Sequence, residues 1–252
     1  MIEAIIFDWG GVLSANPSIR EFVRMYAPKL GVNVEEMTQV VLDNWMKARV
    51  DEIDSELYWK NIANFLKIDY HVFRHDMLEF SGFQPSVSDM ARALKKNYKI
   101  ALLSNHIRDW LEEEIDNRNM REVFDVIITS YNSGLAKPDP KIYQLTANKL
   151  NLKPEECVFV DDMRSNLLPA KDLGMHTIHY ENPVQLKKEL MDNCVDVETQ
   201  QPVIEWVKHR GEIYSGPRTN DAPDLLIRWK ESQKIAGLCH GREGKPIYPQ
   251  YP

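Results

Sequence analysis

Residues 5–13 read Ile5-Ile6-Phe7-Asp8-Trp9-Gly10-Gly11-Val12-Leu13, so an aspartate follows a short apolar run and precedes a pair of glycines. An apolar run of this length, bounded by glycine, predicts a buried strand of a parallel sheet. Asp8 would then lie at the carboxyl end of that strand, the edge at which open α/β sheets bind ligands. Aspartate and glycine are also common in ordinary turns, so this stretch alone leaves a catalytic and a structural interpretation open.

Three later segments also place polar residues at the end of a predicted strand or in a loop fixed by proline. They are Ile100-Ala101-Leu102-Leu103-Ser104-Asn105-His106, Ala136-Lys137-Pro138-Asp139-Pro140, and Val158-Phe159-Val160-Asp161-Asp162 with Asn166 shortly beyond. A hydroxyl and an amide can hold phosphate oxygens, a lysine can neutralise an anion, and paired carboxylates suit a hard cation such as Mg²⁺. Each segment alone has a common structural use, as a helix cap, an exposed lysine or a turn.

In order and spacing, the four segments together resemble the four motifs of the haloacid dehalogenase (HAD) superfamily, from the amino terminus to about Val195. The Asp-x-Gly-Gly-Val-Leu opening and the Asp-Asp-x-x-x-Asn ending are most similar to sugar-phosphate phosphatases and to the amino-terminal phosphatase domain of soluble epoxide hydrolase. The resemblance implies an α/β fold, with a Rossmann-like parallel sheet as core and an inserted helical cap.

The hydrophobic patterning independently supports this layout. Apolar residues recur at helical spacing in Ile19–Leu30, Val34–Ala48, Ser55–Leu66 and His71–Phe80, and strand patterns return at Ile100–Leu103, Val126–Thr129, Val158–Val160 and His176–His179. Strands that alternate with helices are typical of a parallel sheet. We therefore predict a core of residues 1–15 and 84–198, a cap of residues 16–83 and a carboxyl-terminal extension of residues 199–252.

Composition favours a cytoplasmic enzyme of one large or two small domains. The 252 residues are 43% hydrophobic, enough for a buried core, and no apolar segment is long enough to cross a bilayer. The start of the chain lacks the pattern of a signal peptide. A net charge of −7 without a basic cluster argues against nucleic acid as a partner. Three widely spaced cysteines predict neither a disulfide framework nor a zinc site.

The resemblance assigns the chemistry to the strand ends. Asp8 would attack a small phosphorylated substrate and form an aspartyl-phosphate, which water then hydrolyses. Mg²⁺ would be held by Asp8, Asp162 and the main-chain carbonyl of Gly10. Asp161 would orient Lys137 without binding the metal itself.

The remaining roles concern the phosphoryl oxygens and the substrate. Ser104, the Asn105 backbone and Lys137 would hold the oxygens, the Trp9 and Gly10 amides could add donors, and Asn166 would support the acidic pair. The cap should choose the substrate, and the candidate contacts are Trp9, Trp45, Asn44, Lys47 and Arg49.

Gly10 departs from the family pattern, because most phosphatases of the superfamily carry a second aspartate there that protonates the leaving group and activates water. General acid–base assistance is worth about 10²- to 10⁴-fold in rate, so we expect a slow, restricted or inactive enzyme. His106 and Asp109 are candidates to compensate.

Three alternatives remain open. Phosphonate hydrolases of the superfamily open with a similar Asp-Trp-Ala-Gly and use a cap lysine as a Schiff base, a role that Lys47 could take. Haloacid dehalogenases share the Leu-Ser-Asn stretch, but they need no metal, which Asp161-Asp162 argues against. A protein that binds metal or ligand without turnover is the alternative from another class.

The extension is not explained by the resemblance. It is poor in strand patterns and ends in Pro246-Ile247-Tyr248-Pro249-Gln250-Tyr251-Pro252, where prolines alternate with tyrosines. This predicts an extended wrap or an interaction tail. The extension could cover a sheet edge, mediate a homodimer or stay mobile, and the sequence does not separate these alternatives.

Overall fold

Five parallel strands form the main sheet of the computed structural model, which describes residues 2–15, 18–193, 204–209 and 225–229. They are β1 (Ala4–Phe7), β2 (Lys99–Ser104), β3 (Val126–Thr129), β4 (Cys157–Asp161) and β5 (His176–His179). Their spatial order is β3-β2-β1-β4-β5, and every neighbouring pair is parallel. The predicted parallel sheet is confirmed, and β1, the strand that directly precedes Asp8, lies at its centre.

The helices divide into a group between β1 and β2 and a group that alternates with the later strands. They are α1 (Ile19–Tyr26), α2 (Val34–Ala48), α3 (Ser55–Leu66), α4 (Tyr70–Ser81), α5 (Pro85–Leu94), α6 (Arg108–Asn117), α7 (Ser130–Ser133), α8 (Pro140–Leu150), α9 (Arg164–Asp172) and α10 (Pro183–Asn193), with 3₁₀ turns at Ala27–Leu30, Met120–Glu122 and Pro154–Glu156. Because α1 to α4 are all inserted between the first two strands, the predicted helical insertion is confirmed. The domain borders themselves stay a prediction.

Side-chain caps explain where the inserted helices begin. Asn33 and Asp54 stand before α2 and α3, and their side chains accept hydrogen bonds from backbone N–H groups of the first turn. Asp69 does the same for α4. Such caps satisfy donors that have no partner within the helix, and each stabilises its helix by about 1 kcal/mol.

Both faces of the sheet are covered. Ile5 and Phe7 belong to a buried cluster with apolar residues of α5, α6 and α10, whereas Ala4 and Ile6 belong to a second cluster with residues of α8 and α9. A central parallel strand is therefore apolar at every position, as its sequence predicts.

A third apolar cluster lies between the inserted helices. It includes two residues that follow β2 and so do not belong to the insertion. Ile107 and Trp110, at the start of α6, pack into the apolar core of α1 to α4. The Trp59 indole N–H also donates to Asp109 Oδ2 at 2.9 Å. The inserted helices are thus attached to the segment that follows the carboxyl end of β2.

Part of the extension forms a second, two-stranded sheet. Strands β6 (Ile204–His209) and β7 (Leu225–Trp229) pair in antiparallel fashion. The extension, which was expected to be poor in strands, therefore contains a strand pair, and the closing proline–tyrosine stretch lies outside the described residues. Cys157 is a free, buried thiol; Cys194 and Cys239 lie outside the described residues. Among the described helices, none combines the length and the apolar character needed to span a lipid bilayer.

Candidate active site

Asp8 is fixed at the carboxyl end of the central strand. Its backbone N–H donates to the carbonyl of Val160 at 2.9 Å, which extends the β1–β4 ladder by one residue. The Trp9 N–H donates to Asp8 Oδ1 at 2.7 Å, and the next turn requires glycine because Gly11 has a φ of 70°. The Asp8 carboxylate therefore has a defined orientation at the sheet edge.

Lys137 lies between two carboxylates. Its Nζ is 2.8 Å from Asp8 Oδ1 and 2.6 Å from Asp161 Oδ2, and its side chain is 1% exposed. The Phe159 ring lies beneath the ammonium, 5.4 Å from Nζ to the ring centroid. This buried ion pair brings together three residues that are far apart in the sequence.

The side chain of Asn105 positions Lys137 rather than facing the edge where phosphate would bind. Asn105 Oδ1 accepts a hydrogen bond from the Lys137 N–H at 2.9 Å, and Asn105 Nδ2 donates to the Lys137 carbonyl at 2.8 Å. The side chain thereby clamps the lysine loop to the end of β2. Asn105 was expected to hold phosphoryl oxygens, through its amide or its backbone, and its hydrogen bonds to the Lys137 backbone were not predicted.

Both oxygens of Asp161 are occupied. Oδ1 accepts hydrogen bonds from the Met163 N–H and from Asn166 Nδ2, while Oδ2 accepts from Lys137 and from Asn166 Nδ2. Asn166 is held in turn, because its main-chain carbonyl accepts a hydrogen bond from the Tyr143 hydroxyl at 2.7 Å. Asp161 therefore has little capacity left for a metal ion, whereas Asp162 is half-buried at the same edge.

The site is crowded with negative charge. Burial, with the nearby Asp161, raises the pKa of Asp8 to about 7 against the lowering effect of Lys137. Burial and Asp161 likewise raise the pKa of Asp162 to about 6. Burial alone would lower the pKa of Lys137, but the two carboxylates outweigh it and raise this pKa. One lysine thus offsets only part of the charge of three carboxylates.

The three carboxylates fit a divalent cation. Asp8, Asp161 and Asp162 each have an oxygen within 4.8 Å of the others. Hard cations such as Mg²⁺ prefer oxygen ligands, and a cation here would relieve the repulsion that raises the carboxylate pKa values. Because the Asp161 oxygens are already hydrogen-bonded, Asp8 and Asp162 are the side chains available to hold it.

Ser104 is the clearest candidate among the described residues for binding a phosphoryl oxygen. Its side chain is fully buried, and its Oγ has no hydrogen-bond partner among the described residues. A buried hydroxyl without a partner is unfavourable, so a bound anion would satisfy it.

The structure corrects one expected substrate contact. The Trp9 indole is 1% exposed and packs in the core against Phe83, with ring centroids 5.9 Å apart. Burying a large apolar side chain stabilises the fold most, and the Trp9 side chain is part of the apolar core next to the sheet. Its side chain is therefore not available to a substrate, and only its backbone amide remains next to Asp8.

His106 and Asp109 are both engaged in the interface between cap and core. His106 is buried between the rings of Trp45 and Trp110, and burial lowers its pKa to about 4, so it is neutral at pH 7. Asp109 Oδ2 accepts hydrogen bonds from Trp59 and from Arg74. Neither arrangement offers a proton donor for a leaving group.

Two further supporting residues were missed in the sequence. His179, at the end of β5, has its Nε2 2.9 Å from the carbonyl of Asp162, to which it must donate. Tyr143 holds Asn166 from α8. His179 could have been recognised because it ends a predicted strand. Tyr143 could not, because it lies within helix α8 and nothing in the sequence shows that this part of the helix packs against Asn166.

Known proteins share this sequence pattern. A family model described as haloacid dehalogenase-like hydrolase matches residues 2–174. The acyl-CoA dehydrogenase family member 10 of Mus musculus is 47% identical over 203 residues, 75% of this chain and 19% of that protein. Bifunctional epoxide hydrolase 2 of Rattus norvegicus is 33% identical over 47% of this chain and 22% of that protein. The chain thus spans about a fifth of the length of the first curated relatives it matches.

Two comparisons cover relatives of similar length. The D-ribitol-5-phosphate phosphatase of Bacteroides thetaiotaomicron is 24% identical over 75% of this chain and 97% of that protein. A crystal structure of a HAD-family enzyme from the same organism, in complex with magnesium and inorganic phosphate, superimposes with a TM-score of 0.62 at 23% identity, over 72% of this chain and 95% of that one. This second likeness shows a shared fold. Since the family model covers more than half of the sequence, the chain belongs to the haloacid dehalogenase-like hydrolases.

Proposed function

We propose that this hydrolase is a Mg²⁺-dependent phosphatase that acts on small phosphomonoesters through an aspartyl-phosphate on Asp8. The observation that carries the proposal is the buried Asp8–Lys137–Asp161 arrangement beside Asp162 at the carboxyl edge of the sheet. Relatives of similar length are named as phosphatases of D-ribitol 5-phosphate and of phosphorylated carbohydrates, which supports sugar phosphates as the first compounds to assay.

In the first step, an Asp8 carboxylate oxygen attacks phosphorus while the bond to the leaving-group oxygen breaks. Lys137, the Ser104 hydroxyl and the backbone amide of Asn105 stabilise the charge on the phosphoryl oxygens, while the Trp9 amide keeps its hydrogen bond to Asp8. Lys137 also keeps Asp8 oriented through their 2.8 Å contact.

Asp8, Asp162 and the main-chain carbonyl of Gly10 would hold the metal ion. When bound, Mg²⁺ supplies positive charge that lets an anionic nucleophile approach an anionic phosphate. In the second step, water attacks the phosphorus of the aspartyl-phosphate, the bond to Asp8 breaks and inorganic phosphate leaves.

Gly10 restricts the substrates that this site turns over well. Glycine cannot donate a proton, and His106 and Asp109 are held in the cap interface as described above. The leaving group must therefore depart without protonation by a side chain at position 10, which favours leaving groups of low pKa.

The test is phosphate release from p-nitrophenyl phosphate and from a panel of sugar phosphates, with and without Mg²⁺. The proposal predicts Mg²⁺-dependent release that is abolished in Asp8→Asn, with Lys171→Gln as a matched control, since Lys171 is exposed on α9. Failure of the natural chain to release phosphate from any of these esters would overturn the proposal.

A protein that binds metal without turnover is the second candidate, and Gly10 is the observation that favours it. It predicts that Mg²⁺ raises the melting temperature while no phosphate is released. The phosphonate hydrolase alternative needs a desolvated lysine above Asp8, but Lys47 is exposed on α2.

A further inference from the structure

Asp162 lies just outside the sheet that positions the other two carboxylates of the site. The backbone N–H of Asp8 donates a hydrogen bond to β4, and Asp161 belongs to β4 and pairs with His179 of β5. Asp162 follows the last residue of β4 and precedes α9, so it lies in the bend between these two elements. The main chain at Asp162 therefore needs a contact other than strand pairing to hold it.

Charge repulsion makes such a contact necessary. One carboxylate oxygen of each of Asp8, Asp161 and Asp162 lies within 4.8 Å of the others. Like charges at this separation repel each other strongly in a partly buried site. An unrestrained bend would let the Asp162 carboxylate turn towards water, away from the position that a cation occupies. A carboxylate that is to face the cation thus requires a fixed main chain.

His179 donates a hydrogen bond to that main chain. Its Nε2 is 2.9 Å from the carbonyl oxygen of Asp162, and because a carbonyl can only accept, Nε2 carries the proton. His179 lies beside Asp161 in the β4–β5 register, and its side chain reaches one residue further along the neighbouring segment. The contact therefore fixes the residue that strand pairing leaves out.

His179 is itself anchored by the segment that leads into α10. Its main-chain carbonyl accepts a hydrogen bond from Gln185 Nε2 at 2.9 Å, and Gln185 Oε1 accepts one from the Glu181 N–H at 3.1 Å. The other ring nitrogen, Nδ1, is 3.7 Å from Glu181 Oε1 and has no hydrogen-bond partner within the described part of the chain. The hydrogen bond to Asp162 is thus the polar contact that the ring makes there.

We propose that His179 is a positioning residue of the metal site, which holds the Asp162 main chain so that the Asp162 carboxylate faces the cation. This inference rests on the proposed function, in which Asp8 and Asp162 hold Mg²⁺. Groups that orient a metal ligand without touching the metal are worth about 10- to 100-fold in metal affinity. His179 therefore sets how tightly the site binds Mg²⁺, whereas Lys137 and Ser104 act on the phosphoryl group.

The test measures the dissociation constant of Mg²⁺ by calorimetry without substrate. His179→Met keeps a side chain of similar length but has no donor, and we expect it to raise the dissociation constant about 10- to 100-fold. His179→Gln keeps an amide N–H that can reach the Asp162 carbonyl, so its dissociation constant should stay close to that of the natural chain. His176→Met, at an exposed position of the same strand, is the matched control and should leave the dissociation constant unchanged.

The dependence of the rate on Mg²⁺ separates positioning from damage to the fold. In His179→Met, the Mg²⁺ concentration that gives half the maximal rate on p-nitrophenyl phosphate should rise by the same factor as the dissociation constant. At saturating Mg²⁺, kcat should approach that of the natural chain, because the occupied site has the same ligands. A merely structural role would instead lower kcat at every Mg²⁺ concentration and would not be rescued in His179→Gln.

The inference and the proposed activity fail by different results. Equal Mg²⁺ affinity in His179→Met and the natural chain would overturn the inference, and so would equal losses in His179→Met and His179→Gln or a natural chain that does not bind Mg²⁺. The phosphatase proposal fails if the natural chain binds Mg²⁺ but releases no phosphate. In that case the dissociation constants of the variants still decide the role of His179.

Discussion

Replacing Lys137 with methionine should destabilise the protein strongly, because this lysine contacts two buried carboxylates. Its Nζ lies 2.6 Å from Asp161 and 2.8 Å from Asp8, and Asp161 is fully buried. Removing one partner of a buried ion pair costs about 3–5 kcal/mol, since the other charge stays in the interior. The pKa of Asp8 is already raised to about 7, so Asp8 can take up a proton and Asp161 carries most of this cost.

The assay is urea unfolding at pH 7 without Mg²⁺. Lys137→Met should lose about 3–5 kcal/mol in the free energy of unfolding, whereas Lys171→Met, at an exposed position of α9, should change it by less than about 0.5 kcal/mol. Adding Asp161→Asn to Lys137→Met should recover part of the loss, because the unpaired charge is removed.

Two results would refute this reasoning. A loss below about 1 kcal/mol in Lys137→Met would mean that the ion pair is not a buried, coupled unit. Strict additivity of the Lys137→Met and Asp161→Asn losses would mean that the two side chains do not interact.

Three further predictions test the leaving-group step, the pH dependence and the cap interface. Gly10→Asp, at a glycine without a positive φ, should raise kcat on alkyl phosphates by about 10²-fold or more and on p-nitrophenyl phosphate much less; equal gains would argue against a missing acid. The pKa of His106 is about 4 when folded and about 6.5 when unfolded, so stability is lost as pH falls from 6.5 to 4. The stability difference between the natural chain and His106→Gln should shift by up to about 3 kcal/mol over that window, and a constant difference in urea unfolding would contradict the assignment. Trp59→Phe removes a hydrogen bond to Asp109 and should lower the free energy of unfolding by about 1–3 kcal/mol in urea. An unchanged free energy of unfolding would contradict this prediction.

Much of the fold could be predicted because local signals agree with the tertiary structure. The apolar run before Asp8 and the runs before Ser104 and Asp161 each become a strand, since a parallel sheet covered on both faces needs apolar residues at every position. Helices α2 and α3 begin where Asn33 and Asp54 provide caps. Each of these features depends on residues that are neighbours in the sequence.

The parts that sequence reasoning missed depend on long-range contacts. Trp9 was expected at the substrate, but only the packed core shows that its ring lies against Phe83. The bidentate clamp of Asn105 on Lys137 joins two loops that are distant in the sequence. Likewise, neutral His106 is explained only by the tryptophans that surround it. No periodicity or motif contains this information.

The most direct test of the central proposal is to look for the phosphoryl group on Asp8. A single turnover of p-nitrophenyl phosphate in Mg²⁺ is quenched with acid, and the peptides are analysed by mass spectrometry. The account predicts a phosphorylated peptide that contains Asp8, formed and consumed at rates that match phosphate release and absent from Asp8→Asn. Phosphate release at the natural rate by Asp8→Asn, or a phosphoryl group on a different residue, would contradict it.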